Sequence, residues 1–394
     1  MTWMALALLL GLVTVPADGP GDGPGAGSRD RARTTYVVAL RRAPDGDAGR
    51  VGDQAARLAR KYGGRIHHVY AAALRGFSAT MTPAQARRLA ADRRVARVEP
   101  NRVFTARTAV SRAGSVAPVT SWGLDRVNQR GLPLDGLALR GGSAAGVTAY
   151  VIDSGLRTTH TEFGGRAKHG FDAIESDSVA QDCFGHGTHV AATLGGATYG
   201  VAKDVGLVAV RVLDCDGTGT TADMVAGIDW VTRNATRPAV VNMSLQSGRS
   251  RVIDRAVRSS IASGLPYVVA AGNGGQDACR VSPAWVREAI TVGASTRTDT
   301  RGAFSNRGRC LDLFAPGAEI PSAWNNDDNG IRTASGTSMA SPHVAGAVAL
   351  LLGAQPQATP AQLHRSLLSA ATISDFDGGS PGRLLYIADS DDRR

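Results

Sequence analysis

The chain has 394 residues, 43% hydrophobic and 20% charged. That is enough for one large core or two smaller ones, and it excludes general disorder and a collagen-like repeat. The formal charge is +10, yet residues 36–104 alone hold 14 Lys/Arg against 5 Asp/Glu. The surplus is therefore one short basic segment, and the remainder is nearly neutral, which argues against nucleic acid as the partner of the whole molecule.

From the start, Met4 to Val15 is an apolar run of about a dozen residues, short of the roughly 20 that span a bilayer. Val15-Pro16-Ala17 then offers small residues for cleavage, so residues 1–17 read as a secretory signal, although Met1-Thr2-Trp3 carries no Lys or Arg. No later segment is expected to span a membrane. Residues 18–35, rich in Gly, Pro and charge, read as a flexible linker.

A compact unit follows over 36–106. Strand signals at Tyr36 to Leu40, Ile66 to Tyr70, Gly76 to Met81 and Val95 to Val103 alternate with helical patterns at Gln54 to Tyr62 and at Thr82-Pro83 to Ala91. Thr82 and Pro83 suit an N-cap and a first turn. The order strand-helix-strand-strand-helix-strand is that of a split βαβ, α+β domain. A polar stretch without pattern, Ala106 to Thr120, separates it from the rest, with 107–114 read as a processed linker.

The main domain is expected over 115–388, followed by a polar tail, 389–394. Short strands rich in β-branched residues (Val147 to Ile152, Leu207 to Val212, Val240 to Ser244, Tyr267 to Ala271, Ile290 to Val292) alternate with helical patterns. The helices are His186 to Leu194, Ala222 to Asn234, Val252 to Ser263, Ser338 to Leu352 and Thr359 to Ala371. Near-continuous apolar strands between helices predict an α/β fold, a parallel sheet covered on both faces.

In such sheets chemistry collects at the carboxyl ends of strands. Val151-Ile152-Asp153-Ser154-Gly155 ends a buried strand in an Asp, which alone also suits a turn. Gly185-His186-Gly187-Thr188-His189 starts a helix with a histidine between two glycines. His186 and His189 lack the i, i+4 spacing and the Glu of a zinc helix, so His189 reads as a core histidine. Gly336-Thr337-Ser338-Met339 places Ser338 at a helix start, as an N-cap or as a nucleophile beside the helix N–H groups. Together Asp153, His186 and Ser338 supply orienter, general base and nucleophile. Asn273, in Ala270-Ala271-Gly272-Asn273-Gly274, can donate its side-chain N–H to an oxyanion.

The order Asp, His, Ser in these contexts resembles the subtilisin family of serine proteases and, within it, the proteinase K branch. The resemblance covers Ser121 to Leu385. It extends to Val210-Arg211-Val212-Leu213-Asp214-Cys215, Val241-Asn242-Met243-Ser244-Leu245 and Leu313-Phe314-Ala315-Pro316-Gly317. Tyr36 to Val103, with Gly76-Phe77-Ser78-Ala79 and Val98-Glu99-Pro100, is similar to the family's inhibitory propeptide, which accounts for the basic segment better than nucleic acid does. The resemblance implies a secreted, monomeric endopeptidase that removes its own propeptide and acts on peptides and proteins without a catalytic cofactor. It implies a mature N-terminus a few residues before Trp122, near Gly114 or Ser115. Gly217-Thr218-Gly219 and Ser244-Leu245-Gln246 would be the strands flanking a bound peptide, with Ala271 and Gly272 lining the cleft.

Four cysteines in a secreted chain favour disulfides, with three pairings open from the count. Similarity to aqualysin-type enzymes implies Cys183 with Cys215 and Cys279 with Cys310. The same family commonly holds structural Ca²⁺, and Asp312, with the carbonyls of Arg287 and Ala289, matches a ligand position. One departure stands out: the branch follows Ser-Leu with glycines, where this chain has Gln246-Ser247. With Leu245 packed beneath, Gln246 is expected at the rim of the pocket, narrowing it against aromatic side chains. An esterase is disfavoured because no Gly-x-Ser-x-Gly elbow surrounds Ser338, and a pseudoprotease because all four catalytic positions are filled.

Overall fold

The computed structural model describes residues 32–41, 51–106, 109–110, 121–139, 142–376 and 379–388. The expected signal, most of the linker, the junction at Gly114 and Ser115 and the polar tail lie outside these residues.

The small domain forms because its strands alternate two apolar faces. Strands Thr34–Leu40, Arg65–Tyr70, Gly76–Met81 and Val95–Pro100 make one antiparallel sheet. The spatial order runs second, third, first, fourth. Val38 and Leu40 pack with Phe77, Ala79 and Met81 against helices Val51–Tyr62 and Pro83–Ala90, through Leu58 and Leu89. The Thr82 N-cap is observed with a capping box closed by Gln85. Val37 and Ala39, one residue out of step, point the other way and join the core of the main domain.

The expected last strand, Val95 to Val103, is not one strand. It ends at Pro100; Val103–Thr105 leaves the sheet and pairs antiparallel with Thr218–Thr220 of the main domain. Within the stretch expected to be without pattern, Ala109–Val110 pairs with Ile331–Ser335.

The main domain is built on a nine-stranded sheet, parallel except at one edge, where Thr372–Ile373 and Arg383–Leu384 run antiparallel. Successive residues of the central strand Thr148–Asp153 face opposite cores. Ala149 and Val151 meet helices His186–Gly195 and Thr337–Ala354, while Tyr150 and Ile152 meet Thr221–Asn234 and Arg251–Ala262. Thr148–Asp153 lies between Gly206–Arg211 and Ala239–Met243. There the chain's progress across the sheet reverses, so a crevice opens at the strands' carboxyl ends. The expectation that no later segment could span a membrane needs one correction. Thr337–Ala354 is long and apolar enough by length and composition, but it is mostly buried as the core helix of this fold.

Candidate active site

Asp153 is the last residue of its strand and is fully buried. Its Oδ1 accepts the Ser154 N–H (2.8 Å) and lies 2.7 Å from His186 Nδ1. The second oxygen, Oδ2, is buried without a partner among the described residues. His186 reaches this position because the start of its helix passes flush against the turn after Asp153. A Cβ on Gly187 would lie 2.1 Å from Gly155 O, so the two backbones touch where only glycine fits. Burial pushes the His186 imidazole toward the neutral form, but the Asp153 carboxylate, by charge and hydrogen bond, and the Asp182 carboxylate beyond it outweigh burial. Its pKa stands above the ordinary 6.5.

Asp182 is a residue that sequence reading missed. Nearly fully buried, it accepts from Phe184 N, Gly185 N, Thr188 N, Thr188 Oγ1 and Ser154 Oγ. It thereby knits the loop before His186 to the turn after Asp153. Its position three residues before a Gly-His-Gly helix start was the available signal, that of an Asx turn. His189 is the core histidine expected: it is fully buried, Nε2 donates to Ile320 O (3.0 Å), and burial lowers its pKa to about 3.

Ser338 is the second residue of helix Thr337–Ala354. Pro342, four residues on, has no N–H for the Ser338 carbonyl. Ser244 Oγ supplies the donor instead at 2.8 Å, and Ser338 Oγ in turn donates to Ser244 O at 3.0 Å. Asn242 holds both sides of this link, donating to Ser244 Oγ (3.0 Å) and accepting from Ser341 Oγ (2.7 Å). In this arrangement His186 Nε2 is buried without a hydrogen-bond partner among the described residues. Base and hydroxyl are not yet bonded to each other.

Asn273 is oriented through its oxygen. Oδ1 accepts from Thr337 N and Thr337 Oγ1, both at 2.8 Å, which turns the amide nitrogen toward the start of the Ser338 helix. A Cβ on Gly336 would lie 3.2 Å from Asn273 Nδ2 and 3.6 Å from Ser338 N. Two N–H donors thus flank one small space, as an oxyanion site requires. Ala271 and Gly272 are fixed by Asn306, whose Nδ2 donates to Ala271 O (2.7 Å).

The expected peptide-binding strand at Gly217-Thr218-Gly219 is occupied by the chain itself. Thr105, Phe104 and Val103 pair with Thr218, Gly219 and Thr220, and Ala106 N–H donates to Gly217 O (2.9 Å). Across the cleft, Thr105 and Ala106 line one small cavity with Ser244, Gln246, Gly272, Asn273 and Ser338. Phe104, 7% exposed, sinks its ring against Gly219 and Leu213. The small domain is clasped on by polar contacts at helix ends and loops. Asp229 accepts the N–H groups of Ala71, Ala72 and Ala73 (3.1, 2.7 and 2.8 Å). Asn101 Oδ1 accepts Ala222 N (2.8 Å), and Glu99 meets Ser250 Oγ and Arg251 N, so two helix N-termini are capped from outside. The basic surplus of this domain is largely turned to solvent, at Arg57, Arg60, Arg65, Arg88 and Arg93.

Both disulfides stand as the resemblance implied, Cys183–Cys215 and Cys279–Cys310. The first ties the loop before His186 to the segment leading into Thr218–Thr220. At Asp312, Oδ2 accepts Thr291 N (2.8 Å), and Oδ1 lies 3.1 Å from His364 Nε2. Arg287 and Ala289 lie on the turn before Ile290–Ser295.

Residues 144–385 match the Subtilase family and residues 35–107 the Peptidase inhibitor I9 family. The chain belongs to the Subtilase family. It is 51% identical over 336 residues to an extracellular serine proteinase of Thermus sp. (strain Rt41A), covering 84% of this chain and 80% of that one. It is 46% identical over 338 residues to alkaline serine exoprotease A of Vibrio alginolyticus, covering 85% of this chain and 63% of the relative. The crystal structure of a cold-adapted subtilisin-like serine proteinase matches with a TM-score of 0.67 and 50% identity, over 69% of this chain and all of that one. The chain is thus a subtilisin-type serine protease carrying an inhibitor-type propeptide domain, and the α/β fold with its α+β leader domain agrees with the sequence expectation. One matched relative is named as extracellular, and subtilases commonly bind structural calcium.

Proposed function

We propose that this protein is a secreted serine endopeptidase, made as an inhibited precursor that cuts itself. Ser338 Oγ attacks the scissile carbonyl while His186 Nε2 takes its proton. Asp153 holds the imidazole tautomer and stabilises the imidazolium. Asn273 Nδ2 and Ser338 N receive the developing oxyanion. The imidazolium then returns its proton to the leaving amine, and water repeats the sequence on the acyl-enzyme. For the first step Ser338 Oγ must leave Ser244 O and turn to His186, whose unpartnered Nε2 is the acceptor waiting for it. The observation that carries the reading is the seating of Val103–Ala106 on Thr218–Thr220 beside Ser338, the position a peptide substrate takes by strand addition.

That seating favours a first cut just beyond Ala106, at Ala106–Arg107 or Arg107–Thr108, earlier than the junction expected near Gly114 or Ser115. Ser338→Ala should leave an uncut proprotein, while wild-type protein sampled early should show a new N-terminus at Arg107 or Thr108. Mature-sized product from Ser338→Ala, made in a host without other proteases, would overturn self-cleavage.

For calcium, unpaired buried oxygens offer a second candidate beside Asp312. Asp125 Oδ1 and Asn128 Oδ1 are both buried without partners among the described residues. Burial and the neighbouring Asp135 hold the Asp125 carboxyl above the usual carboxylate range. Oxygen donors of this kind suit Ca²⁺. Calcium at about a hundred times its Kd should add about 2.7 kcal/mol of stability, read as a rise in Tm. Asp125→Asn should abolish that rise; a rise unchanged in Asp125→Asn would place the ion elsewhere.

A further inference from the structure

Leu245 and Gln246 follow Ser244 along the edge of the cleft that faces Ser338. Leu245 is 2% exposed and packs into the core beneath. Gln246, in the short segment between strands Ala239–Met243 and Ser247–Gly248, lines the cleft instead. It crosses to the far wall: a Cβ on Gly272 would meet Gln246 Oε1 at 1.8 Å, so the amide lies directly on the bare glycine backbone. The same side chain lines both the cavity holding Thr105 and Ala106 beside Ser338 and the adjoining cavity beneath Val103, Phe104 and Thr105.

Oε1 is buried and accepts no hydrogen bond among the described residues. Asn306 Nδ2 donates to Ala271 O (2.7 Å) and Gly272 N to Thr337 Oγ1 (3.0 Å), and neither donates to Oε1. A buried carbonyl without a donor is costly, and a ligand that supplies one is favoured over a ligand that seals it in. On the serine protease reading, the ligand at this wall is the side chain that precedes the scissile bond.

We propose that Gln246 is a specificity-determining residue, selecting at that position a side chain that donates a hydrogen bond over an aliphatic or aromatic one. A donor such as a glutamine amide or an arginine guanidinium pairs with Oε1. A methionine of similar shape strips water from it and offers nothing in return, and a phenylalanine ring must also displace the amide. Of the two first cuts favoured above, Arg107–Thr108 would place a side chain rich in donors, Arg107, at this position.

The test uses mature enzyme and peptides identical except at this residue, which is Gln, Arg, Met or Phe. Wild type should show kcat/KM for Gln above that for Met by about tenfold or more, with Phe lowest, the range that a pocket built around a hydrogen bond can reach. Gln246→Leu keeps the bulk but removes the amide, and the Gln-to-Met ratio should fall to about one or below. Gln246→Gly should open the wall and raise Phe above the others. Met or Phe equal to or better than Gln in wild type overturns the proposal, whatever the variants do. So does a Gln-to-Met ratio unchanged in Gln246→Leu. If no peptide is cut and a serine-directed reagent leaves Ser338 unmodified, the hydrolase reading itself falls and this proposal with it. A labelled, active enzyme with the wrong ratios overturns only the role of Gln246.

Discussion

At His186 two opposing influences meet, and the sign of their sum sets the pH behaviour. Burial favours the neutral imidazole, while Asp153 at 2.7 Å and Asp182 favour the charged one and prevail. On the proposed mechanism His186 is the general base, which works only when neutral, so activity should rise with pH through a pKa above 6.5 and be lost below it. In Asp153→Asn the raising charge is gone and burial is left in command, so the surviving activity should have its acid limb at lower pH. Turnover should fall about 10⁴-fold, since the imidazole loses its tautomer control as well. A pH profile of kcat/KM for both proteins checks this; an unmoved limb in Asp153→Asn would show that another group sets it. Most of this site was legible in the sequence because each residue sits at the end of an element with a glycine beside it, as with His186 between Gly185 and Gly187. Asp182 was not, because its importance lies in how many backbone N–H groups converge on it, which only folding reveals. The same holds for Ser244 Oγ, whose need is created by Pro342 on a different element.

At the scale of elements, the strands and helices of both domains fall close to where periodicity places them, since each alternates or repeats its apolar residues against a definite core. Four strands of the large sheet, Ala167–Asp172, Leu313–Pro316, Thr372–Ile373 and Arg383–Leu384, were not expected, and one expected strand departs in an informative way. Val95 to Val103 reads as one strand because its apolar residues continue past Pro100, yet Phe104 is apolar for a different reason: its pocket is on the other domain, against Gly219 and Leu213. Local pattern cannot say which sheet a residue serves. The clasp between domains is equally invisible, since across it Asp229 recognises backbone N–H groups of Ala71 to Leu74 rather than any leader side chain. The Asp229 side chain is 2% exposed, and removing it leaves four N–H groups, those of Ala71 to Leu74, without their acceptor. In the full chain, Asp229→Ala should weaken the hold of the leader domain by about 2–5 kcal/mol. The measurement is the concentration of the separated, noncovalently bound leader at which half the activity is inhibited, compared between Asp229→Ala and wild-type enzyme. An equal value would mean that the apolar contact of Val37, Ala39 and Tyr70 carries the complex.

Across the whole molecule, the leader segment Val103–Ala106 lies where the proposed function puts a substrate. The leader domain caps two helices, packs one sheet face on the main core and feeds Val103–Ala106 along Thr218–Thr220 to Ser338. On the proposed function, inhibition and self-cleavage use the same contacts, and loss of the leader would expose the cleft to other peptides. The most direct test is to treat the protein with a serine-directed phosphonate before and after maturation and to map the modified residue by mass spectrometry. The mature form should be labelled at Ser338 alone and lose all peptidase activity in proportion, while the intact precursor, its cleft filled, should react far more slowly. Labelling at another serine, or full peptidase activity remaining once Ser338 is modified, would contradict the account.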